Sequence, residues 1–91
     1  MVPLDKLDRI ERRFQFLEAR LNDGASPTEI ASLAREYAEL KPVVGRIADY
    51  RQLLRDLEEA EMMLADPEMR ALAEDEIPAL RATRPALEEA L

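Results

Sequence analysis

Apolar residues recur at Leu4, Leu7, Ile10, Phe14, Leu17 and Leu21, three and four positions apart, the spacing that gathers side chains along one stripe of an α-helix. Asn22-Asp23-Gly24 ends that helix, because glycine takes the left-handed conformation at a helix terminus and its two polar predecessors favour turns. Ser26-Pro27-Thr28-Glu29 opens the next. Ser26 suits the N-cap, Pro27 the first helical position, and Glu29 stands where a capping box needs its acid.

The second stripe runs Ile30, Leu33, Tyr37, Leu40, Val44, Ile47 and Leu54, with Arg51 between the last two. Pro42 lies inside it, removing one backbone hydrogen bond and crowding the carbonyl of Ala38 at a cost of about 3 kcal/mol. The stripe keeps its phase across the proline, which predicts one long helix, kinked near Pro42, from Pro27 to about Leu64. Leu57, Ala60, Met62, Met63 and Leu64 widen its far end into a face able to hold a third helix. Asp66-Pro67-Glu68 repeats the start signal and places the beginning of helix 3 there. Met69, Leu72, Ile77, Leu80, Leu87 and Leu91 follow, but Pro78 and Pro85 leave open whether that helix runs unbroken.

At 1.5 Å per residue helix 2 would measure about 57 Å and helix 1 about 28 Å. Helix 1 therefore covers half of helix 2, and helix 3 must cover the rest. The expected fold is all-α, an elongated antiparallel bundle of three helices forming a single domain over residues 1–91, with helix 1 on the half before Pro42 and helix 3 on the half after it.

Composition narrows what such a bundle can do. Apolar residues make up 47% and aromatic residues only 4%, so the core must rest on Leu, Ile, Val, Met and Ala. Twenty acidic against thirteen basic side chains give a net charge of −7, a field that repels phosphate, so direct nucleic-acid binding is not expected. There is no His and no Cys, which removes the commonest general base, thiol nucleophiles, disulfides and the usual zinc ligands. Gly24 and Gly45 stand alone, so no glycine-rich phosphate loop exists. The carboxylate runs Glu58-Glu59-Glu61 and Glu74-Asp75-Glu76 read as solvated helix faces. No catalytic, cofactor or metal site is expected. The first eight residues lack an apolar run and the longest all-apolar stretch is Met62 to Ala65, so the chain reads as cytoplasmic, without a signal peptide or membrane span.

Three residues stand out as candidate partner contacts. Arg12 and Arg13 form a local basic spot, and Phe16 lies two residues from Phe14 and so points almost opposite to the stripe. Either helix 3 covers Phe16 or it is an exposed docking residue. Tyr37, on the stripe of helix 2, reads as core.

The stretch Glu59 to Ile77, EAEMMLADPEMRALAEDEI, together with Arg35-Glu36-Tyr37-Ala38-Glu39-Leu40, resembles the N-terminal domain of bacterial class I peptide chain release factors of the release factor 1 type. The order and approximate spacing of the two segments match, and Asp66-Pro67-Glu68-Met69-Arg70 is the most specific part. The resemblance implies a translation termination factor that as a whole recognises the stop codons UAA and UAG in the ribosomal A site and triggers peptidyl-tRNA hydrolysis. It further implies that this domain lies toward the stalk base of the large ribosomal subunit and cooperates with the class II GTPase release factor. The family's codon-reading tripeptide and Gly-Gly-Gln motif belong to later domains and neither occurs here, as expected of a chain cut at a domain edge near Leu91.

Two other classes compete. A helical oligomerisation or adaptor module would use the stripes as a coiled coil between chains, but such a coil should run unbroken over several heptads, whereas prolines and turns divide these stripes into lengths that pair within one chain. A monomer is expected. A tRNA-gripping helical arm needs a basic stripe that this sequence lacks.

Overall fold

Helix α1 spans Leu4–Asn22, and its start owes nothing to a side-chain cap. Pro3 precedes it in an extended conformation, φ −71° and ψ 114°, and the Pro3 carbonyl receives the N–H groups of Lys6 and Leu7 at 3.1 and 3.4 Å. Asp5 in the first turn and Arg20 in the last complement the helix dipole. The stripe is buried as expected at Leu7 and Leu17 and half-buried at Ile10, Phe14 and Leu21, while Leu4 is exposed. Asp23 donates its N–H to the Ala19 carbonyl at 2.9 Å, and Gly24 follows at φ +79°, the left-handed turn its residue type permits. Ala25 is buried within that turn. The computed structural model describes residues 2–91.

Helix α2 spans Pro27–Met63, 37 residues without a break, so Pro42 is accommodated inside one helix. Pro42 and Ala38 are both exposed, and water can therefore satisfy the Ala38 carbonyl that the proline leaves without its N–H. At the entry, the Ser26 carbonyl accepts from the N–H groups of Glu29 and Ile30, both at 2.9 Å, and the Ser26 hydroxyl meets the Thr28 hydroxyl at 3.1 Å. The Glu29 carboxylate reaches across to Arg20 at 2.8 Å.

The chain divides into two compact units, one through Ile47 and one from Ala48 to Leu91. The division lies five residues beyond Pro42. In the first unit α1 and the leading part of α2 form an antiparallel hairpin. Arg20 meets Glu29 near the turn, and Arg13 meets Glu36 farther from it. Ile47 and Leu17 are fully enclosed.

The second unit pairs the remainder of α2 with α3, Arg70–Glu89. The expected start of helix 3 at Asp66-Pro67 is corrected: Asp66 Oδ1 accepts the Glu68 N–H at 3.0 Å and the Asp66 carbonyl accepts the Met69 N–H at 3.1 Å. Those bonds close a turn, and the α-helical ladder begins only with the Ala73 N–H on the Met69 carbonyl at 3.0 Å. Asx residues offer the backbone this local alternative to a helix.

α3 is continuous through Pro78 and Pro85. Seven residues apart, the two prolines share one face, and both are exposed together with Glu74 and Arg81, whose carbonyls lose their N–H partners. The buried positions also differ from the expected stripe. Tyr50, Leu53, Leu57 and Ala60 are buried on α2, and Ala73 and Ile77 on α3. Met63 and Leu80 pack on the Ala60–Ala73–Ile77 cluster. Leu54 is only half-buried, and Leu72 and Met69 are exposed, because each hairpin selects its own buried face of α2 and extrapolating one stripe along the whole helix misses the second.

Candidate functional site

On α1, Arg13 and Phe16 are three residues apart and therefore neighbours on the helix surface. Arg13 forms a two-point ion pair with Glu36 of α2, Nε to Oε2 at 2.6 Å and Nη2 to Oε1 at 2.7 Å. That fork geometry fixes the guanidinium plane. The same guanidinium lies 5.2 Å from the Phe16 ring centroid, within cation–π range. Hydrogen bonding to Arg13 holds the Glu36 carboxyl below its ordinary pKa, and Glu36 in turn raises that of Arg13.

Beneath this pair, Phe14 and Tyr37 stack with centroids 4.6 Å apart and planes 14° off parallel. The Tyr37 hydroxyl donates to Glu18 Oε2 at 3.3 Å. Desolvation, and then Glu18, push the Tyr37 hydroxyl pKa up. Tyr37 is thus half-buried hairpin packing with a polar tip, as its position on the stripe implies.

Phe16 itself is 50% exposed. It borders a shallow groove with Arg20, Thr28, Glu29, Ser32 and Leu33. The structure brings Arg13 and Phe16 together. Arg12, four residues before Phe16, is exposed on the same side of α1.

The second hairpin carries a different surface. A groove between α2 and α3 has Ala60, Met63 and Leu80 on its floor and Asp56, Glu59 and Glu76 on its rim, closing toward Met69. Farther along, the Tyr50 hydroxyl donates to Glu88 Oε2 at 2.8 Å, and Arg84 Nε approaches the same oxygen at 3.4 Å. The Tyr50 hydroxyl is pushed up by burial and by Glu88, while Tyr50 and then Arg84 hold Glu88 below its ordinary value. Arg81 and Glu61 lie 3.8 Å apart. Partners such as Glu36, Glu29 and Glu88 are invisible in a helix-by-helix reading, since each is defined by a residue on another helix.

Among the described residues no group of three or more acidic side chains is arranged to hold a metal ion, and no helix is long and apolar enough to cross a membrane. The arrangement offers ion pairs, aromatic faces and grooves, which are means of docking.

Comparison with known proteins gives the surfaces a context. The PCRF domain family matches residues 10–91. The chain belongs to this PCRF domain family. Among its relatives, a protein of Dinoroseobacter shibae named peptide chain release factor 1 is 60% identical over 91 residues, covering all of this chain and 26% of that protein. One of the same name from Jannaschia sp. is 58% identical over 90 residues, 99% of this chain and 25% of the relative. A peptide chain release factor 1 of Thermus thermophilus is 46% identical, covering 97% of this chain and 26% of its own length. This PCRF chain therefore spans about a quarter of the length of the curated relatives it matches. No solved structure matches it significantly. The resemblance carried by Arg35 to Leu40 and Glu59 to Ile77 is borne out over the whole chain.

Proposed function

We propose that this PCRF chain is the N-terminal helical domain of a translation termination factor, and that the whole protein reads UAA and UAG on the ribosome and triggers peptidyl-tRNA hydrolysis. The observation that carries the reading is the 60% identity along all 91 residues to a protein named peptide chain release factor 1. In this reading the domain is not an enzyme and acts in the cytoplasm as a monomer. It docks near the stalk base of the large subunit and couples the factor to the class II GTPase release factor. An acidic surface suits contacts with basic ribosomal proteins better than contacts with rRNA. Phe16, with Arg13 held over its ring and Arg12 beside it, is the assigned contact patch of the first hairpin. An aromatic side chain half in water next to a fixed guanidinium is the kind of anchor that binding surfaces favour.

The test is a reconstituted termination assay with the full-length protein and a form lacking these 91 residues, on UAA, UAG and UGA, with and without the GTPase factor. Release at UAA and UAG in both forms is expected, with the stimulation by the GTPase lost in the shorter one. A full-length protein inactive at UAA and UAG removes the termination reading. Loss of codon selectivity in the shorter form removes the docking role.

A further inference from the structure

The net charge of −7 is not spread along the chain. Between Asp56 and Glu76 there are nine acidic side chains and one basic, Arg70, so this stretch carries −8 and the rest of the chain +1. It comprises the end of α2, the turn and the start of α3. The same stretch holds the exposed large apolar residues of the second hairpin: Met62 at 71%, Leu72 at 48%, Met69 at 37% and Leu64 at 36%. Glu76 and Ala79 form one edge of the groove whose floor is Ala60, Met63 and Leu80, and Leu72 lies one helical turn before Glu76 on the same side of α3.

We propose that this groove is a docking site for a basic amphipathic helix of a protein partner. Apolar residues of such a helix would enter on Ala60, Met63 and Leu80, and its lysines or arginines would meet Asp56, Glu59 and Glu76. Three observations select this occupant. The floor is apolar and includes a methionine, a side chain that adapts to varied apolar partners. The rim is acidic, and Glu59 and Glu76 have no cationic partner among the described residues, whereas in the groove of the first hairpin Arg20 already pairs with Glu29. A field of −8 repels nucleic acid and attracts a cationic segment. The site belongs to the second hairpin, whereas Phe16 belongs to the first, and it does not depend on the termination reading.

The test uses the isotope-labelled 91-residue chain and a synthetic helical peptide of about 20 residues with Leu at i, i+3, i+4 and i+7 spacing and Lys elsewhere. Amide shifts clustered at Ala60, Met63, Glu76 and Leu80 are expected, with binding at least tenfold weaker for a scrambled peptide of equal charge and absent for a Glu-for-Lys version. The exposed substitutions Glu59→Lys with Glu76→Lys, and separately Leu72→Asp, should each weaken binding at least tenfold. Equal binding of the scrambled peptide, shifts centred on the Phe16 groove, or the same shifts produced by raising the concentration of the chain alone would each overturn the proposal.

Discussion

Tyr50 and Glu88 join α2 to the last turn of α3 by a 2.8 Å hydrogen bond from hydroxyl to carboxylate, with the tyrosine ring only 2% exposed. The bond lies three residues beyond Pro85, where α3 has lost a backbone hydrogen bond to the missing proline N–H. Arg84, on the other side of the proline, approaches the same carboxylate. Side chains thus bridge one of the two points at which the α3 backbone lacks a hydrogen bond.

Tyr50→Phe keeps the ring and removes the donor, so it should cost about 1 kcal/mol, the usual net worth of such a bond. Tyr50→Ala also empties a fully enclosed site and should cost about 3 kcal/mol or more. Urea unfolding of the two variants checks the order: no loss in Tyr50→Phe would mean that the ring alone holds α3, and equal losses that the hydroxyl does.

Stability should fall at both ends of the pH scale. Glu36 and Glu88 have depressed pKa values in the fold, so their contribution is present above the unfolded carboxylate value of about 4.3 and is lost as pH falls below it. Tyr37 and Tyr50 are raised, so the folded chain prefers the protonated phenol and loses stability as pH rises above about 10. With no histidine in the chain, a plateau is expected between. Urea midpoints from acid to alkaline pH check this; Glu36→Gln with Glu88→Gln should flatten the acid limb and Tyr50→Phe the alkaline one.

The limits of α1 and α2 were legible in the sequence because each end carries its own chemistry: Gly24 at positive φ, Pro27 in the first helical position. Asp66-Pro67 misled, since an aspartate that can cap a helix can equally close a turn, and three residues intervene before Arg70. Tyr50 and Leu53 were missed because the stripe that serves α1 was extended along α2, although that helix has no single apolar face over its full length. In the candidate site, Phe16 was found by its opposition to Phe14. Glu36 was not found as its neighbour's partner, because ion pairing across a hairpin depends on register between helices.

The two glycines should respond oppositely to alanine. Neither would place its new Cβ against another atom, so backbone conformation decides. Gly24, at φ +79°, would be strained by a side chain at a cost of about 1 kcal/mol. Gly45 lies inside α2, where alanine should stabilise by about 0.5 to 1 kcal/mol. Thermal melts of Gly24→Ala and Gly45→Ala should move in opposite directions.

Arg13→Met should raise the Glu36 pKa toward that of a free carboxylate, since the hydrogen bonds from Arg13 are the leading cause of its depression. Arg13→Lys should restore it only in part, because an ammonium cannot make the two-point contact. Carboxyl-carbon NMR titration of Glu36 reads both. An unchanged pKa in Arg13→Met would mean that the ion pair is not populated in solution.

The prolines allow the most direct test of how these helices tolerate their interruptions. Pro78 lies inside α3, directly after the buried Ile77, although the residue before a proline disfavours helical backbone. Its helix position costs about 3 kcal/mol relative to alanine, offset by about 0.4 to 1 kcal/mol because proline also restricts the unfolded chain. Pro78→Ala should therefore stabilise, by about 1 to 2 kcal/mol once local adjustment is allowed for, and Pro85→Ala and Pro42→Ala should act in the same direction. Pro67 is the control. It lies in the turn between α2 and α3, where no helical bond can be regained, and Pro67→Ala should destabilise by up to about 1 kcal/mol. For a domain of this size 1 kcal/mol corresponds to roughly 4 to 8 °C in melting temperature, so the four variants separate in a single set of thermal melts. A lower melting temperature for Pro78→Ala would show that the proline shapes α3 so that Ile77 and Leu80 reach the core, and that a straighter helix packs less well.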